Sequence, residues 1–505
     1  ASGHAWDDGT VKTEATCAQA GEVMYTCTLC GETRTESVPR KEHTPGGGPT
    51  CTEPQICVFC GTVLSSAKGH TVETVAATEA TCTERGNTAG TRCSVCGEVL
   101  SGLEPIPAKG HTMVDNVCTV CNAISMSAIT VGSGSTVAVH DPSVVVAYAD
   151  AFGNTYAEAG EGRQRVYFLF GTQLSNAYSY DMESWVTFTP TFYEEGTTTV
   201  STDHEKIFKT AAAWSGYTDA ATIKGNLWAP DIIYNPDLEK WCLYYSMSGD
   251  SSNFRSSVFL MTADNITGPY EFDGFVVFSG FAPADKGSGA GLDDYKAVTG
   301  DTDGSELGRY VNSENKWNNN YGVSCIDPAV LYDEAGDLWM FYGSWSGGIF
   351  LLKLDNETGL RDTSRTYGSD GQPIYDTAET TALREDPYLG IHVAGGWYVS
   401  GEGPYVEYID GYYYLFLSYG FYSPDGGYNM RVFRAENITG DYVDPDGTWA
   451  VYDGYLLNYG SNVSHGLSFM QNYKWSWWTG PASIAQGHNS VLTDDGNVYL
   501  VYHIK

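Results

Sequence analysis

Residues 326–345 read IDPAVLYDEAGDLWMFYGSW. An Asp-Pro opener, a short apolar run, an acidic turn with Gly336 and an aromatic run form the pattern of two antiparallel strands joined by a tight turn. Branched and aromatic side chains fit a half-buried pleated surface, while Asp and Gly supply the reversal. Four further stretches repeat it: HDPSVVVAY from His140 leading to VYFLFGT from Val166, APDIIYNPDLEKWCLYYSMSG from Ala229, GPYVEYIDGYYYLFLSYG from Gly403, and HNSVLTDDGNVYLVYH from His488. The leading polar positions Asp141, Asp231, Asp327, Glu402 and His488 are 90, 96, 75 and 86 residues apart, room for about four strands and their loops in each copy. Four-stranded units repeated around an axis are the logic of a β-propeller. The sequence therefore predicts an all-β fold with a five-bladed β-propeller over residues 125–505, whose innermost strands bring their leading residues to one mouth of a central channel. The fifth copy holds two strands before Lys505, so its blade is expected to be incomplete, or closed by a strand near Ile129–Val139 or by a second chain.

Ahead of residue 125 the texture changes to Thr, Glu, Gly and Cys with few apolar runs, too little to build a hydrophobic core. Residues 1–124 hold 11 of the 13 cysteines. They recur with a His in three full units and one partial: His4, Cys17, Cys27 and Cys30; His43, Cys51, Cys57 and Cys60; His70, Cys82, Cys93 and Cys96; then His111, Cys118 and Cys121. Three thiolates and one imidazole make a tetrahedral shell for Zn2+, and CxxC places two sulfurs on one turn. Metal binding would supply the folding free energy that such a small Cys-rich module lacks. A disulfide framework is the competing reading, and the His could instead belong to the preceding unit, as with Cys17, Cys27, Cys30 and His43.

The balance of 27 Lys+Arg against 62 Asp+Glu, a net charge of -35, excludes nucleic acid and anionic membrane surfaces as partners. A neutral polysaccharide fits, since 36 Tyr and 13 Trp can stack on sugar faces and bond hydroxyls, although β-rich proteins use Tyr in any case. No apolar stretch has transmembrane length and no basic-then-apolar leader opens at Ala1, so the expectation is no membrane insertion and a secreted or cell-surface bacterial protein. Cys242 and Cys325 fall inside expected strands, where a Cys is a small buried apolar side chain.

Glycoside hydrolysis needs a carboxylate base that activates water and a protonated carboxyl that serves the leaving oxygen. Asp141 and Glu402 suit these parts, with Asp327 as a third carboxylate raising the acid by like-charge repulsion. Asp-Pro and Glu-Gly-Pro are also ordinary turn openers; their shared place in a repeated unit is what points to chemistry.

Through HDPS at 140–143, WAPD at 228–231, IDPA at 326–329, GSWSGGI at 343–349, GEGPY at 401–405 and GHNS at 487–490, residues 137–505 resemble glycoside hydrolase family 43. Within the family, HGLSFMQNYKW ahead of GHNSVL and LWAPDIIYN are most similar to endo-acting α-1,5-L-arabinanases. The resemblance implies an inverting hydrolase of plant cell-wall arabinan with Asp141 as general base, Glu402 as general acid and Asp327 tuning and orienting Glu402. It also implies a central Ca2+ held by His488, largely through water, and substrate contacts from Trp228, Ser344 and Trp345. Exo-acting α-L-arabinofuranosidases and β-xylosidases share the fold, and insertions near 280–322 and 362–398 would decide between open and closed grooves. A non-catalytic carbohydrate-binding surface protein is the alternative from another class. The Cys-rich units resemble repeats on surface proteins of Gram-positive bacteria, which implies spacing or cell-surface attachment.

Overall fold

The computed structural model describes residues 3–82, 85–110, 112–114, 117–120, 137–282, 295–296, 299, 301, 305–319, 321–376, 383–396, 401–420, 422, 427–451, 466–472 and 484–504. Contacts divide the chain into two compact units, Ala1–Gly110 and His111–Lys505. The expected boundary at residue 124, and the expected ligands His111 and Cys121, lie outside the described residues.

The first unit is a run of short antiparallel sheets. Thr10–Thr13, Gly21–Thr26 and Thr33–Val38 form one; Gln55–Ile56 pairs with Val63–Ser65; and Val72–Val75, Gly90–Cys93 and Val99–Gly102 form another. Its buried apolar side chains among the described residues are those of Ala15, Cys17, Cys27, Cys51, Cys57, Ala80, Cys82 and Cys93. Nothing of leucine size is buried there, so hydrophobic burial contributes little to this unit. Each CxxC closes on the glycine that follows it: Gly31, Gly61 and Gly97 donate to the carbonyls of Cys27, Cys57 and Cys93 at 2.9 Å. Those glycines sit at φ +75, +71 and +76, a conformation side chains resist.

Each described His joins the CxxC pair of its own repeat, as the first phase expects, but the lone Cys does not: Cys17 and Cys51 fall in the groups of the repeats that follow them. Three groups form instead: Cys17 with His43, Cys57 and Cys60; Cys51 with His70, Cys93 and Cys96; and His4 with Cys27 and Cys30. The backbone explains it. Lys41 and Lys68 donate to the carbonyls of Thr16 and Thr50, and Gly69 to that of Cys51, returning each His beside the Cys of the repeat before. Thr28, Val58 and Ser94 donate to the carbonyls of Ala5, Thr44 and Thr71, docking each CxxC on the residue after its His.

The second unit is predominantly β. Its antiparallel sheets begin with the lead strands Ser143–Ala149, Leu227–Asn235, Ala329–Tyr332, Glu402–Ile409 and Gly487–Asp494. The last pairs with Asn497–His503 alone among the described residues. Short helices Lys209–Ser215 and Ala220–Gly225 separate the first sheet from the second. The lead strands touch in sequence, and the fifth touches the first. Separate apolar clusters fill successive gaps: Phe168, Tyr178, Leu243 and Phe259 between the first two sheets, and Phe416, Met430 and Val491 between the fourth and fifth. Val144 and Leu169 meet Leu492 and Val501 between fifth and first, where Val137 and Val139 also pack without forming a strand. Cys242 and Cys325 are buried and free.

The long insertions pack on one another around Asp386, whose carboxylate accepts from Tyr310 Oη at 2.7 Å and Tyr321 Oη at 2.6 Å.

Candidate active site

Each lead strand is entered through a left-handed residue: Asp141 at φ +52, Ala229 at +36, Asp327 at +56, Gly403 at +57 and His488 at +43. Such a conformation is uncommon for a residue with a Cβ and costs on the order of 1–3 kcal/mol. In the second, fourth and fifth copies it coincides with a register shift against the next strand, between Trp228 and Asp231, Glu402 and Tyr405, and Gly487 and Ser490. A bulge re-aims one side chain away from the regular alternation. Here the result is a cavity of about 1050 Å³ lined by Asp141, Trp228, Asp327, Glu402 and His488, together with Tyr422 and His503.

This geometry corrects the alignment of the second copy. Its counterpart of Asp141 and Asp327 is Ala229, while Asp231 lies further along the strand and acts as a tie. The Ser143 hydroxyl donates to Asp231 Oδ1, and the Val330 amide to Oδ2 at 2.6 Å. Comparable ties run elsewhere: Gly403 N to Asp327 Oδ2 at 3.2 Å, Tyr405 Oη to the Val491 carbonyl at 3.1 Å, and Val144 N to Ser490 Oγ at 3.1 Å. Burial pushes Asp231 up to about 6, against the hydrogen bonds from Ser143 and Val330.

Asp141, 7% exposed, is surrounded by imidazoles. Ring nitrogens of His140, His488 and His503 lie 2.8, 3.2 and 3.1 Å from its carboxylate, and the Thr172 hydroxyl donates to it. Burial alone would raise its pKa, but His488, His140 and His503 outweigh that penalty and hold it well below the usual carboxylate range. Asp327, 5% exposed, behaves oppositely: burial first, then the charges of Glu402 and Asp141, push it well above that range. Two carboxylates in one cavity thus have opposite proton affinities.

Glu402 is held through both oxygens. Trp345 Nε1 donates to Oε2 at 2.8 Å, with Ser344 Oγ at 3.5 Å, and Tyr428 Oη donates to Oε1 at 2.6 Å. Trp345 N also donates to the Gly401 carbonyl at 3.0 Å. Trp345 and Ser344, expected as substrate contacts, therefore reach Glu402. Trp228 lies on the cavity wall with its Nε1 on the Gly225 carbonyl at 2.9 Å.

Sequence reasoning missed His140, Thr172, Tyr428 and His503. His140 stands beside Asp141 in the HDPS motif, the one local signal available. The others are single polar groups in strands or loops, and only packing reveals them. His503 stacks on His140 at 4.3 Å between ring centres, and its Nε2 is buried without a partner. The side-chain amides of Gln486 and Asn489, flanking His488, are likewise buried with no partner on either atom.

Residues 274–505 match the family model described as Glycosyl hydrolases family 43. The extracellular endo-alpha-(1->5)-L-arabinanase of Thermotoga petrophila is 29% identical over 375 residues, covering 73% of this chain and 64% of that protein. The extracellular endo-alpha-(1->5)-L-arabinanase 2 of Bacillus subtilis is 28% identical over 385 residues, covering 73% and 65%. The chain thus spans just under two thirds of the length of these curated relatives. The crystal structure of endo-1,5-alpha-L-arabinanase from Thermotoga petrophila RKU-1 matches with a TM-score of 0.52 at 27% identity, over 74% of this chain and 69% of that one. No helix among the described residues is long and apolar enough to cross a membrane.

Proposed function

We propose that this chain, which carries a glycosyl hydrolase family 43 domain over residues 274–505, is a secreted inverting glycoside hydrolase that cleaves internal α-1,5-L-arabinofuranosidic bonds of arabinan on a five-bladed β-propeller. The observation that carries the reading is the opposed pair: Asp141 held ionised among three imidazoles, and Glu402 fixed across the same cavity by Trp345 and Tyr428. The cyclic order of contacts between lead strands supports the propeller. The two relatives described as extracellular endo-arabinanases support the substrate and the secretion.

Asp141 takes a proton from water on one face of the arabinofuranosyl ring as that water attacks the anomeric carbon. Glu402 gives its proton to the departing glycosidic oxygen on the other face, so configuration inverts. Tryptophan N–H can only donate, so Oε2 stays an acceptor and the acid's proton resides on Oε1, where the Tyr428 hydroxyl can turn to receive or release it. Asp327 acts through Gly403, whose N–H it accepts, fixing the backbone beside Glu402. Trp228 offers a ring on the wall for a sugar face.

A cation also belongs in this proposal. His488 and the unpartnered amides of Gln486 and Asn489 fit a Ca2+ bound largely through water, because a hard cation takes oxygen donors and ordered water would satisfy those buried groups. When bound, the ion would supply positive charge to the cavity that holds the carboxylates.

Linear debranched arabinan and, separately, xylan test the reading, with chain length and anomeric configuration of the products followed and Glu402→Ala as control. Short arabino-oligosaccharides of inverted anomer, absent in the variant, are expected. Release of one sugar or one short oligomer from chain ends alone would make the enzyme exo-acting. No release from either polymer would favour a binding protein.

A further inference from the structure

We propose that Zn2+ ions stitch successive Cys-rich repeats together, one bound by Cys17, His43, Cys57 and Cys60 and the next by Cys51, His70, Cys93 and Cys96, so that each metal spans two repeats. The separations between these ligand atoms fit one polyhedron. A tetrahedron with Zn–S of about 2.3 Å and Zn–N of about 2.0 Å has S···S edges of about 3.8 Å and S···N edges of about 3.5 Å. Cys17 Sγ lies 3.7 Å from Cys57 Sγ, and Cys51 Sγ 3.7 Å from Cys93 Sγ. His43 Nδ1 lies 3.3 Å from Cys60 Sγ, and His70 Nδ1 3.5 Å from Cys96 Sγ. A disulfide would bring sulfurs to about 2.05 Å, and none of Cys17, Cys51, Cys57, Cys60, Cys93 and Cys96 is in one.

The outer shell agrees. A metal-bound imidazole ordinarily gives its other N–H to a carboxylate, which fixes its orientation. His70 turns Nδ1 to the sulfurs and Nε2 to Glu98 at 3.4 Å. His4 does the same toward Glu32 at 3.5 Å, and its Nδ1 lies 3.5 Å from Cys30 Sγ in a three-ligand group with Cys27. In the middle repeat Thr62 replaces that Glu, and its Oγ1 lies 3.2 Å from Cys60 Sγ. The Val95 amide donates to Cys93 Sγ at 3.4 Å, as expected for a thiolate. With no buried apolar side chain larger than Cys among its described residues, this unit depends on such ions for its folding free energy. Because each ion joins neighbours, the first three repeats form a one-dimensional array with metal at both of their joints.

The test uses the full chain loaded with Zn2+, pulse-labelled with iodoacetamide under native conditions and read residue by residue by mass spectrometry. In the wild type, Cys17 and Cys51 should resist labelling until 1,10-phenanthroline is added. The pair Cys57→Ser and Cys60→Ser should open Cys17 to labelling while Cys51, Cys93 and Cys96 stay protected; the pair Cys27→Ser and Cys30→Ser should leave Cys17 protected. Exposure of Cys17 by the second pair and not the first would overturn the bridging assignment. Thiols that label only after a reductant would overturn zinc altogether. Should either variant fail to fold, the wild type answers by proteolysis. Arg40 and Lys41 are exposed between Cys30 and His43. After limited tryptic cleavage there, the released N-terminal piece should co-elute with the remainder on gel filtration and separate only with chelator. A piece that leaves carrying its own Zn2+ would refute the bridge.

Discussion

Replacing Trp345 by Phe keeps an aromatic ring but deletes the N–H that Glu402 Oε2 accepts at 2.8 Å. A hydrogen bond to an ionisable carboxyl contributes about 1.5–3 kcal/mol, and each 1.36 kcal/mol is a factor of ten in rate. Trp345→Phe should therefore lower kcat on linear arabinan by about 10- to 150-fold, with KM little changed because this N–H faces the acid. Leaving-group chemistry gives the sharper reading. A sugar hydroxyl cannot depart without a proton, whereas a nitrophenolate can, so on an aryl arabino-oligosaccharide cleaved at the aryl bond the loss should shrink to a few-fold. Steady-state kinetics on both substrates, with circular dichroism confirming the fold, measures the contrast. Equal losses on both substrates, or a change confined to KM, would refute the claim that Trp345 serves proton donation by Glu402.

Three further outcomes follow from the geometry. Asp231, raised to about 6, keeps a proton in the folded chain that the unfolded chain releases, so its contribution to stability falls as pH rises from about 4 to about 6. Asp231→Asn cannot ionise and can still accept from Val330 N and donate to Ser143 Oγ; its stability relative to wild type should rise by about 1–3 kcal/mol between pH 4 and pH 7, read from thermal melts. Gly403→Ala would place a Cβ 2.7 Å from the His488 ring at φ +57, so arabinan turnover should drop at least about tenfold through displacement of His488 from Asp141; wild-type turnover would contradict this. Adding 1,10-phenanthroline should abolish the thermal transition of residues 1–110 in calorimetry while arabinan hydrolysis stays within about twofold, since the catalytic groups lie in the other unit and none is a proposed zinc ligand.

That Asp141, Asp327 and Glu402 share one cavity was legible because a repeated unit marks position: what is bland once becomes informative at the same place in several copies. The same spacing misled at Asp231. Counting residues cannot tell which member of Ala229-Pro230-Asp231 takes the left-handed turn, and a shift of two places turns a cavity residue into a strand tie. His503 and Tyr428 were illegible since their partners are remote in sequence and reached only through packing. In the Cys-rich unit the pairing of each His with the CxxC of its own repeat was readable, but which repeat supplies the remaining Cys was not. The phase depends on backbone pairing of Thr16 with Lys41 and of Thr50 with Lys68, and no residue type encodes that.

The contact between Asp141 and His503 joins positions 362 residues apart. On a chain emerging from the ribosome, Asp141 appears early and two of the three imidazoles around it, His488 and His503, follow far later. A translation product that stops short of His488 cannot give Asp141 these neighbours, and without them nothing offsets the penalty that burial sets on its charge. A depressed Asp141 pKa is therefore a report that the fifth lead strand has met the first.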